Sequence, residues 1–375
     1  MRIAAICLLG PLAASIGAAE VTLDSPLDYQ VFQRSSMDAG AIAVTGRAGE
    51  ACDSAEARLD GHPWQRLSTS PPCAFDGSLA ASPGGWYGLE VRVRRAGQWI
   101  GGAGVEHVGV GEVFVVSGQS NSTNYGEEAQ RTTTQMVATF NGAAWRLAND
   151  PQPGVQDSST QGSFIPAFGD ALYAHFHVPV GIASVGAGAT SVRQWLPQGD
   201  RFRSPPTSPK FVIETADGDW ESTGKLFDGM LHRIRQLGPH GFRAVLWHQG
   251  ESDAHQAAGH RIDAPDYQRL MERLIREMRA RAGWDFPWFV AQATYHSPTD
   301  AAAPEIRAAQ AALVSEGLAL RGPDTDTLTG AYRQNHGTGI HLSAAGLEAH
   351  GRLWAEAVEA WLDRTIRTTP PAQLQ

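Results

Sequence analysis

The chain has 375 residues, 42% of them apolar and 18% charged, so it is neither a disordered protein nor a small scaffold held by many cross-links. Its formal net charge of −9 provides no basic surface for nucleic acid or for an anionic membrane. Three cysteines are too few for a disulfide-rich fold or for a zinc site of four thiolates.

Residues 1–19 have the pattern of a secretory signal peptide. A short basic start precedes an apolar stretch and then small residues that end at Ala19, where cleavage is expected. The stretch is too short for a permanent membrane span, so we expect a secreted or periplasmic protein with no membrane association after cleavage. Cleavage would leave Cys52 and Cys73, which are expected to form one disulfide in an oxidising compartment.

The pattern over residues 20–110 predicts a small all-β domain. Short runs such as residues 42–45 alternate apolar and polar side chains, and turn clusters such as residues 70–72 separate them. We expect a sandwich that contains both remaining cysteines. Such an accessory domain could bind carbohydrate, but a packing or spacing role is the commoner one.

Residues 111–365 have a different pattern, in which apolar runs alternate with helical segments. Uninterrupted runs of this kind are typical of parallel strands that are covered on both faces, so we expect an α/β fold with a parallel sheet. The clearest helix spans residues 266–281, and another is expected to begin after Ser343. Residues 366–375 are expected to form a disordered tail. The apolar runs lie at residues 113–116, 180–183, 244–247 and 288–291.

The first polar segment at a predicted strand end is Gly118-Gln119-Ser120-Asn121. Reactive groups of parallel sheets lie beyond the carboxyl ends of the strands. A serine on such a turn can project its hydroxyl out of the sheet, with its own N–H facing the same point. Taken alone, Ser120 fits a nucleophile or, more commonly, a capping serine.

Two further polar segments supply the other groups that a serine nucleophile needs. His248-Gln249-Gly250-Glu251 follows another predicted strand, and His341 precedes the last long helix. The segment around His248 lacks two histidines at the i, i+4 spacing of a helical zinc motif, so no metal is expected. Together the three segments offer a hydroxyl, an acid–amide pair and an imidazole, in the order nucleophile, orienting acid and general base.

These segments resemble the sialate O-acetylesterase type of SGNH hydrolases, which are similar to acetylxylan esterases of carbohydrate esterase family 6. The Gly-rich block at residues 186–195 is also similar to that family's block before a tryptophan. The resemblance covers about residues 110–365. It implies a three-layer α/β/α SGNH-hydrolase domain with a flavodoxin-like sheet, a serine esterase that acts through an acyl-enzyme, and no cofactor.

The resemblance also implies roles for individual residues. Ser120 would be the nucleophile and His341 the base that takes its proton. The N–H groups of Ser120 and Gly188 and the side-chain amide of Gln249 would form the oxyanion hole, which holds the negative charge that develops on the carbonyl oxygen.

The sequence departs from the superfamily at one position. An aspartate usually lies three residues before the catalytic histidine, where this chain has Thr338. In some members the glutamate of the His-Gln-Gly-Glu segment is proposed to take that role, so Glu251 is assigned as the orienting acid. Asp253 and a backbone carbonyl near Thr338 are the alternatives.

The sequence therefore predicts an exported serine esterase that removes O-acetyl groups from a carbohydrate. Trp195 and Trp247 could stack on sugar rings or belong to the core. Two other functions stay open: a non-catalytic glycan-binding protein, suggested by the missing aspartate, and an SGNH lipase or thioesterase for longer acyl chains. The acetylated glycan (xylan, xyloglucan, sialic acid or another) and the oligomeric state also stay open.

Overall fold

The computed structural model describes residues 19–367. The predicted signal peptide lies outside the described residues except for Ala19, and so does the tail from residue 368. No helix within the described range is long and apolar enough to cross a membrane.

The β-rich part is a sandwich of two sheets around an apolar core, as the sequence predicts, and its strands pair antiparallel except for β2, which is parallel to β8. The strand β5 passes between the sheets, because Leu67 pairs with Ala55 of β4 and Ser68 pairs with Asp76 of β6. The structure contains the disulfide Cys52–Cys73, with a Cα–Cα distance of 5.1 Å. The strands of this part are β1 (Val21–Ser25), β2 (Gln30–Gln33), β3 (Gly40–Ala48), β4 (Ser54–Leu59), β5 (Gln65–Ser70), β6 (Ala74–Ala81), β7 (Tyr87–Arg95) and β8 (Gln98–Gly118).

The long strand β8 belongs to both parts of the molecule. Its first half pairs with β7 in the sandwich, and its second half pairs in parallel with β11 and β15. Residue 110 therefore lies within a continuous strand. The later strands are β9 (Val137–Phe140), β10 (Trp145–Leu147), β11 (Val180–Ser184), β12 (Arg201–Phe202), β13 (Val212–Glu214), β14 (Trp220–Ser222), β15 (Ala244–His248), β16 (Trp288–Gln292) and β17 (Leu320–Asp324).

Helices cover both faces of this second sheet, which confirms the predicted three-layer α/β/α architecture. Val113 and Val115 of β8 share a core cluster with α2, α4 and α5, whereas Phe114 and Val116 face α1 and α7. Successive side chains of a strand point to opposite faces, so an unbroken apolar run indicates a strand that is buried on both sides. The helices are α1 (Ile165–Phe176), α2 (Lys225–Leu237), α3 (Glu251–Ala254), α4 (Ala264–Ala282), α5 (Pro304–Ser315), α6 (Gln334–Gly337) and α7 (Ala344–Thr365).

The strand order places a topological switch point between β8 and β15. The sheet runs β10, β9, β11, β8, β15, β16 and β17, with only β10 antiparallel to its neighbour. After β8 the chain builds one side of the sheet and then crosses to the other side with β15. Ligands of open α/β sheets bind at this point, beyond the carboxyl ends of the strands.

A buried ion cluster joins the sandwich to the second sheet at the end away from the carboxyl ends of its strands. The carboxylate of Glu112, fully buried on β8, accepts from Arg34 Nε at 2.6 Å and from Arg243 Nε at 2.7 Å. Gln33 of β2 donates to the same carboxylate and accepts from the N–H of Val113. The cluster therefore fixes β2 against the start of the α/β sheet.

We expect Glu112→Gln to lower the free energy of unfolding by about 3–5 kcal/mol, because the guanidinium groups of Arg34 and Arg243 lose their counter-charge. Urea unfolding measures the change. Glu90→Gln is the matched control, since the Arg58–Glu90 pair is exposed and is worth less than about 1 kcal/mol. Equal losses in the two variants would contradict this account of the cluster.

Candidate active site

The turn that carries Ser120 is fixed against the end of β15. Gln119 N donates to the His248 carbonyl at 2.8 Å, and Gly118 has a φ of 125°. A Cβ at Gly118 would lie 2.0 Å from the same carbonyl oxygen, so the close approach of the two strand ends requires glycine. Ser120 then begins a single 3₁₀ turn directly beside the His248 segment.

Backbone hydrogen bonds hold the Ser120 turn, and the Ser120 hydroxyl takes no part in them. Its carbonyl accepts from Thr123 N at 3.0 Å, and Ser122 Oγ donates to the Gln119 carbonyl at 2.7 Å. Ser120 is 6% exposed, and among residues 19–367 neither its hydroxyl nor its N–H has a hydrogen-bond partner. A rigid turn that presents both groups without a partner is what a nucleophile with its own oxyanion donor needs.

The structure brings His341 to the Ser120 turn. The imidazole stacks on the ring of Tyr125, with centroids 5.0 Å apart and planes 28° apart. Asn121 Nδ2 lies 3.5 Å from the Ile340 carbonyl, directly before the histidine. The segment that follows Ser120 therefore runs along the segment that carries His341.

Burial controls the protonation of His341. It lowers the pKa of the imidazole below 6.5, and the nearby charge of Arg333 acts in the same direction, while the Glu251 carboxylate opposes both. His341 is consequently neutral at neutral pH, which is the form that a general base requires.

A row of buried side chains connects His248 to α7 through His350 and Trp354. The indole N–H of Trp354 can only donate, so His350 Nε2, which lies 3.0 Å away, must accept. That nitrogen also lies 3.0 Å from His248 Nδ1, so the two imidazole rings are in contact. The neutral state of His350 agrees with its pKa, which burial and the nearby His248 and Arg333 charges hold well below 6.5.

Glu251 is a buried carboxylate that faces this imidazole. Its Oε1 lies 3.0 Å from His248 Nε2 and 2.9 Å from Asn121 Nδ2. Burial raises the pKa of Glu251, but the His248 charge and the two hydrogen bonds outweigh it, so the pKa lies below the usual value. An ionised carboxylate can only accept, so Glu251 Oε1 accepts from Asn121 Nδ2.

Glu251 and His341 are not joined by a hydrogen bond within the described residues. The second carboxylate oxygen of Glu251, Oε2, is buried and has no hydrogen-bond partner in the same part of the chain. Glu251 therefore acts on His341 through its charge, which raises the pKa of the imidazole, and not through direct contact.

Of the three expected oxyanion donors, the N–H of Ser120 has no partner within residues 19–367, whereas the other two are engaged. The N–H of Gly188 donates to Asp157 Oδ2 at 2.6 Å. Gln249 Nε2 donates to Asp253 Oδ2 at 2.7 Å and to the Thr190 carbonyl at 3.1 Å. The structure thus differs from the expectation at Gln249, because both hydrogens of its amide bind protein acceptors.

Neither alternative to Glu251 contacts His341. The Asp253 carboxylate accepts from Ser191 Oγ at 2.5 Å and from Val192 N at 2.8 Å, which fixes the turn that follows the Gly-rich block. The Thr338 hydroxyl donates to the Asn335 carbonyl at 2.8 Å. The backbone carbonyls near Thr338 accept no hydrogen bond from the ring within the described range.

Two further expectations concern tryptophans and metals. Trp195 and Trp247 are both 0% exposed, and their rings pack edge to face 5.2 Å apart. Sugar stacking on these rings is therefore wrong, because they belong to the core of the sheet. Residues 19–367 contain no group of three or more His, Cys, Asp or Glu side chains that could hold a metal ion.

Sequence reasoning missed several residues that shape the site. Tyr125 stacks on His341, Asp157 binds the N–H of Gly188, and Gln334 contacts the imidazole at Nδ1. None of them lies in a recognisable motif. Asn121 does follow Ser120 in the first polar segment, and its contact with Glu251 is the one that this segment could have suggested.

Comparisons with known proteins identify the family of the chain. The family model described as "Carbohydrate esterase, sialic acid-specific acetylesterase" matches residues 110–360, which is more than half of the chain. A carbohydrate acetylesterase from Xanthomonas citri is 19% identical with a TM-score of 0.56, and the match covers 91% of this chain and 75% of that one. A protein from Arabidopsis thaliana is 18% identical with a TM-score of 0.46, and the match covers 67% of this chain and 98% of that one. No curated protein sequence matches the chain.

Proposed function

The chain belongs to the family of sialic acid-specific carbohydrate acetylesterases and is a carboxylic ester hydrolase, and we propose that it cleaves acetyl esters of a glycan through Ser120, His341 and Glu251. The observation that carries the proposal is the Ser120 turn, where a hydroxyl and an N–H without partners among residues 19–367 lie beside the segment of a neutral His341.

The proposed reaction has two steps. His341 takes the proton of the Ser120 hydroxyl as its oxygen attacks the acetyl carbonyl, and the sugar leaves with that proton on its hydroxyl. The acetyl group stays on Ser120. His341 then takes a proton from water, which attacks the acetyl ester and releases acetate, while the proton returns to Ser120.

The negative charge that forms on the carbonyl oxygen would be held by backbone N–H groups. The Ser120 N–H is available for this role, whereas the Gly188 N–H carries the Asp157 carboxylate and becomes available when that carboxylate moves away. One oxyanion donor typically contributes about 3 kcal/mol to the stability of the transition state. Competition between Asp157 and substrate for the Gly188 N–H is thus part of the proposed mechanism.

Export is proposed on two observations. Residues 1–19 have the pattern of a signal peptide, and the structure contains the disulfide Cys52–Cys73. Disulfides form and persist in oxidising compartments, where an acetylated polysaccharide or cell-surface glycan would be met. The net charge of −9 favours a neutral sugar ester over a polyanion.

Acetate release from acetylated xylan, acetylated xyloglucan, O-acetylated sialic acid and a chromogenic acetate tests the proposal. We expect release from at least one glycan, and a steep loss of activity along a series of chromogenic esters from acetate to octanoate. A preference for octanoate would support a lipase or thioesterase instead. Binding to a glycan without release of acetate from any ester would support the non-catalytic function and overturn the proposal.

The pH dependence follows from the state of His341. The base must be neutral, and burial lowers the pKa of its ring below 6.5. Activity is therefore retained as the pH falls through 6.5 and is lost only as it falls through the lowered pKa. A profile of kcat/KM against pH with its acidic midpoint at or above 6.5 would contradict this assignment.

A further inference from the structure

The proposed mechanism needs an acceptor at His341 Nδ1. Nε2 can take the Ser120 proton only if the proton of the neutral ring is on Nδ1, and a hydrogen-bond acceptor normally holds it there. The Thr338 hydroxyl and the Asp253 carboxylate bind other groups, and Glu251 makes no hydrogen bond to the ring within the described chain.

Gln334 is the side chain that contacts this nitrogen. Its amide nitrogen Nε2 lies 3.1 Å from His341 Nδ1, and its backbone N–H donates to the His341 carbonyl at 3.0 Å. An antiparallel bridge between Arg333 and Leu342 holds the two short segments side by side. Backbone pairing therefore sets the position of the Gln334 side chain against the ring.

The orientation of the amide decides the tautomer of His341. If Gln334 Nε2 donates, His341 Nδ1 is the acceptor, and the ring proton lies on Nε2. That nitrogen could then not take the Ser120 proton. A half-turn of the amide exchanges its oxygen and nitrogen at nearly equal positions. Within residues 19–367, Gln334 Oε1 has no hydrogen-bond partner and Gln334 Nε2 contacts only the His341 ring, so the half-turn breaks no other hydrogen bond.

We propose that Gln334 is the positioning residue of His341: its amide oxygen accepts the Nδ1 proton and leaves Nε2 free to act as the base. The inference rests on the proposed function, because the tautomer matters only if His341 is that base. Gln334 then orients the ring, while Glu251 supplies the negative charge, so two side chains share the work of the missing aspartate.

The backbone near His341 is shaped to admit the Gln334 side chain. A Cβ at Gly339 would lie 2.3 Å from Gln334 Cγ, and the Gly339 N–H donates to the Gln334 carbonyl at 2.9 Å. Gly339→Ala should therefore displace the amide without changing its chemistry. This variant perturbs the same contact from the other side.

Kinetics of variants give the first test. We expect Gln334→Ala to lower kcat about 10²-fold with little change in KM, and Gly339→Ala to lower it in the same way to a smaller extent. Gln334→Glu keeps an acceptor at Nδ1 and should retain kcat within about tenfold of the wild type. Gln268→Ala on the surface of α4 is the matched control and should leave kcat unchanged.

The pH profile separates positioning from a merely structural role. The charged groups near the ring are Glu251 and Arg333, and Tyr125 stacks on it. Gln334→Glu adds a carboxylate at Nδ1, which should move the acidic midpoint of kcat/KM to higher pH. An unchanged midpoint in Gln334→Glu, or an unchanged kcat in Gln334→Ala, would overturn the proposal.

Nitrogen-15 NMR of histidine-labelled full-length protein gives a test that needs no substrate. We expect the His341 resonances, assigned by their loss in His341→Gln, to show the proton on Nδ1 in the wild type and a mixture of tautomers in Gln334→Ala. A proton on Nε2 in the wild type would overturn the proposal. If no ester is hydrolysed, the proposed function fails, and the NMR result still decides whether Gln334 holds the ring.

Discussion

Ser120→Ala will lower kcat for acetate release by at least about 10⁴-fold, because no other group takes over the attack on the carbonyl carbon. The fold should be retained, since the Ser120 hydroxyl makes no hydrogen bond within residues 19–367. The substitution removes a single oxygen atom from a residue that is 6% exposed, so the cavity that it leaves is small. Steady-state kinetics with a chromogenic acetate and a thermal unfolding curve measure the two effects.

Ser122→Ala is the matched control for this variant. Ser122 lies in the same 3₁₀ turn and is equally short, but its hydroxyl donates to the Gln119 carbonyl at 2.7 Å. Its loss should cost about 1 kcal/mol of stability and reduce kcat less than about tenfold. If Ser122→Ala loses activity and Ser120→Ala keeps more than a few per cent of it, the nucleophile is assigned to the wrong serine.

Glu251→Gln will lower kcat about 10²-fold, which corresponds to about 2.7 kcal/mol of transition-state stabilisation. The carboxylate favours the protonated form of His341 by its charge, so its removal destabilises the imidazolium that forms during the reaction. The same loss lowers the pKa of His341 further, so the acidic midpoint of kcat/KM should move to lower pH.

Thr338→Ala is the control for Glu251→Gln and should leave kcat close to the wild-type value. The Thr338 hydroxyl donates to the Asn335 carbonyl and not to His341, although it occupies the position where the superfamily has aspartate. The reverse ranking of the two variants would overturn the assignment of Glu251. Unfolding curves should accompany the kinetics, because Glu251→Gln also changes the buried contacts with His248 and Asn121.

The second sheet could be predicted because its strands are buried on both faces. The apolar runs at residues 180–183, 244–247 and 288–291 each lie within an observed strand, and Ser343 caps α7 by accepting from Gly346 N. The full length of β8 could not be predicted. Its first part contains Gly101, Gly102 and Gly104, which have low strand propensity, and pairing with β7 determines its conformation.

The candidate site could be predicted where parallel strands bring their ends together. The Ser120 and Glu251 segments follow the neighbouring strands β8 and β15, so the topology alone places them side by side. Asp157 and Gln334 lie in irregular segments, and their contacts depend on loop paths that no periodicity encodes. The sequence also could not show that the Gly188 N–H and the Gln249 amide already bind protein acceptors, because both groups have acceptors that lie far away along the chain.

Mass spectrometry of the acyl-enzyme tests the central claim most directly. The protein is mixed with a chromogenic acetate or with the acetylated glycan that it hydrolyses, quenched in acid within one turnover, and digested. We predict that one acetyl group is attached to the peptide that contains Ser120, and that it is absent in Ser120→Ala. Release of acetate at wild-type rate by Ser120→Ala, with no acetylated peptide in either protein, would contradict the account.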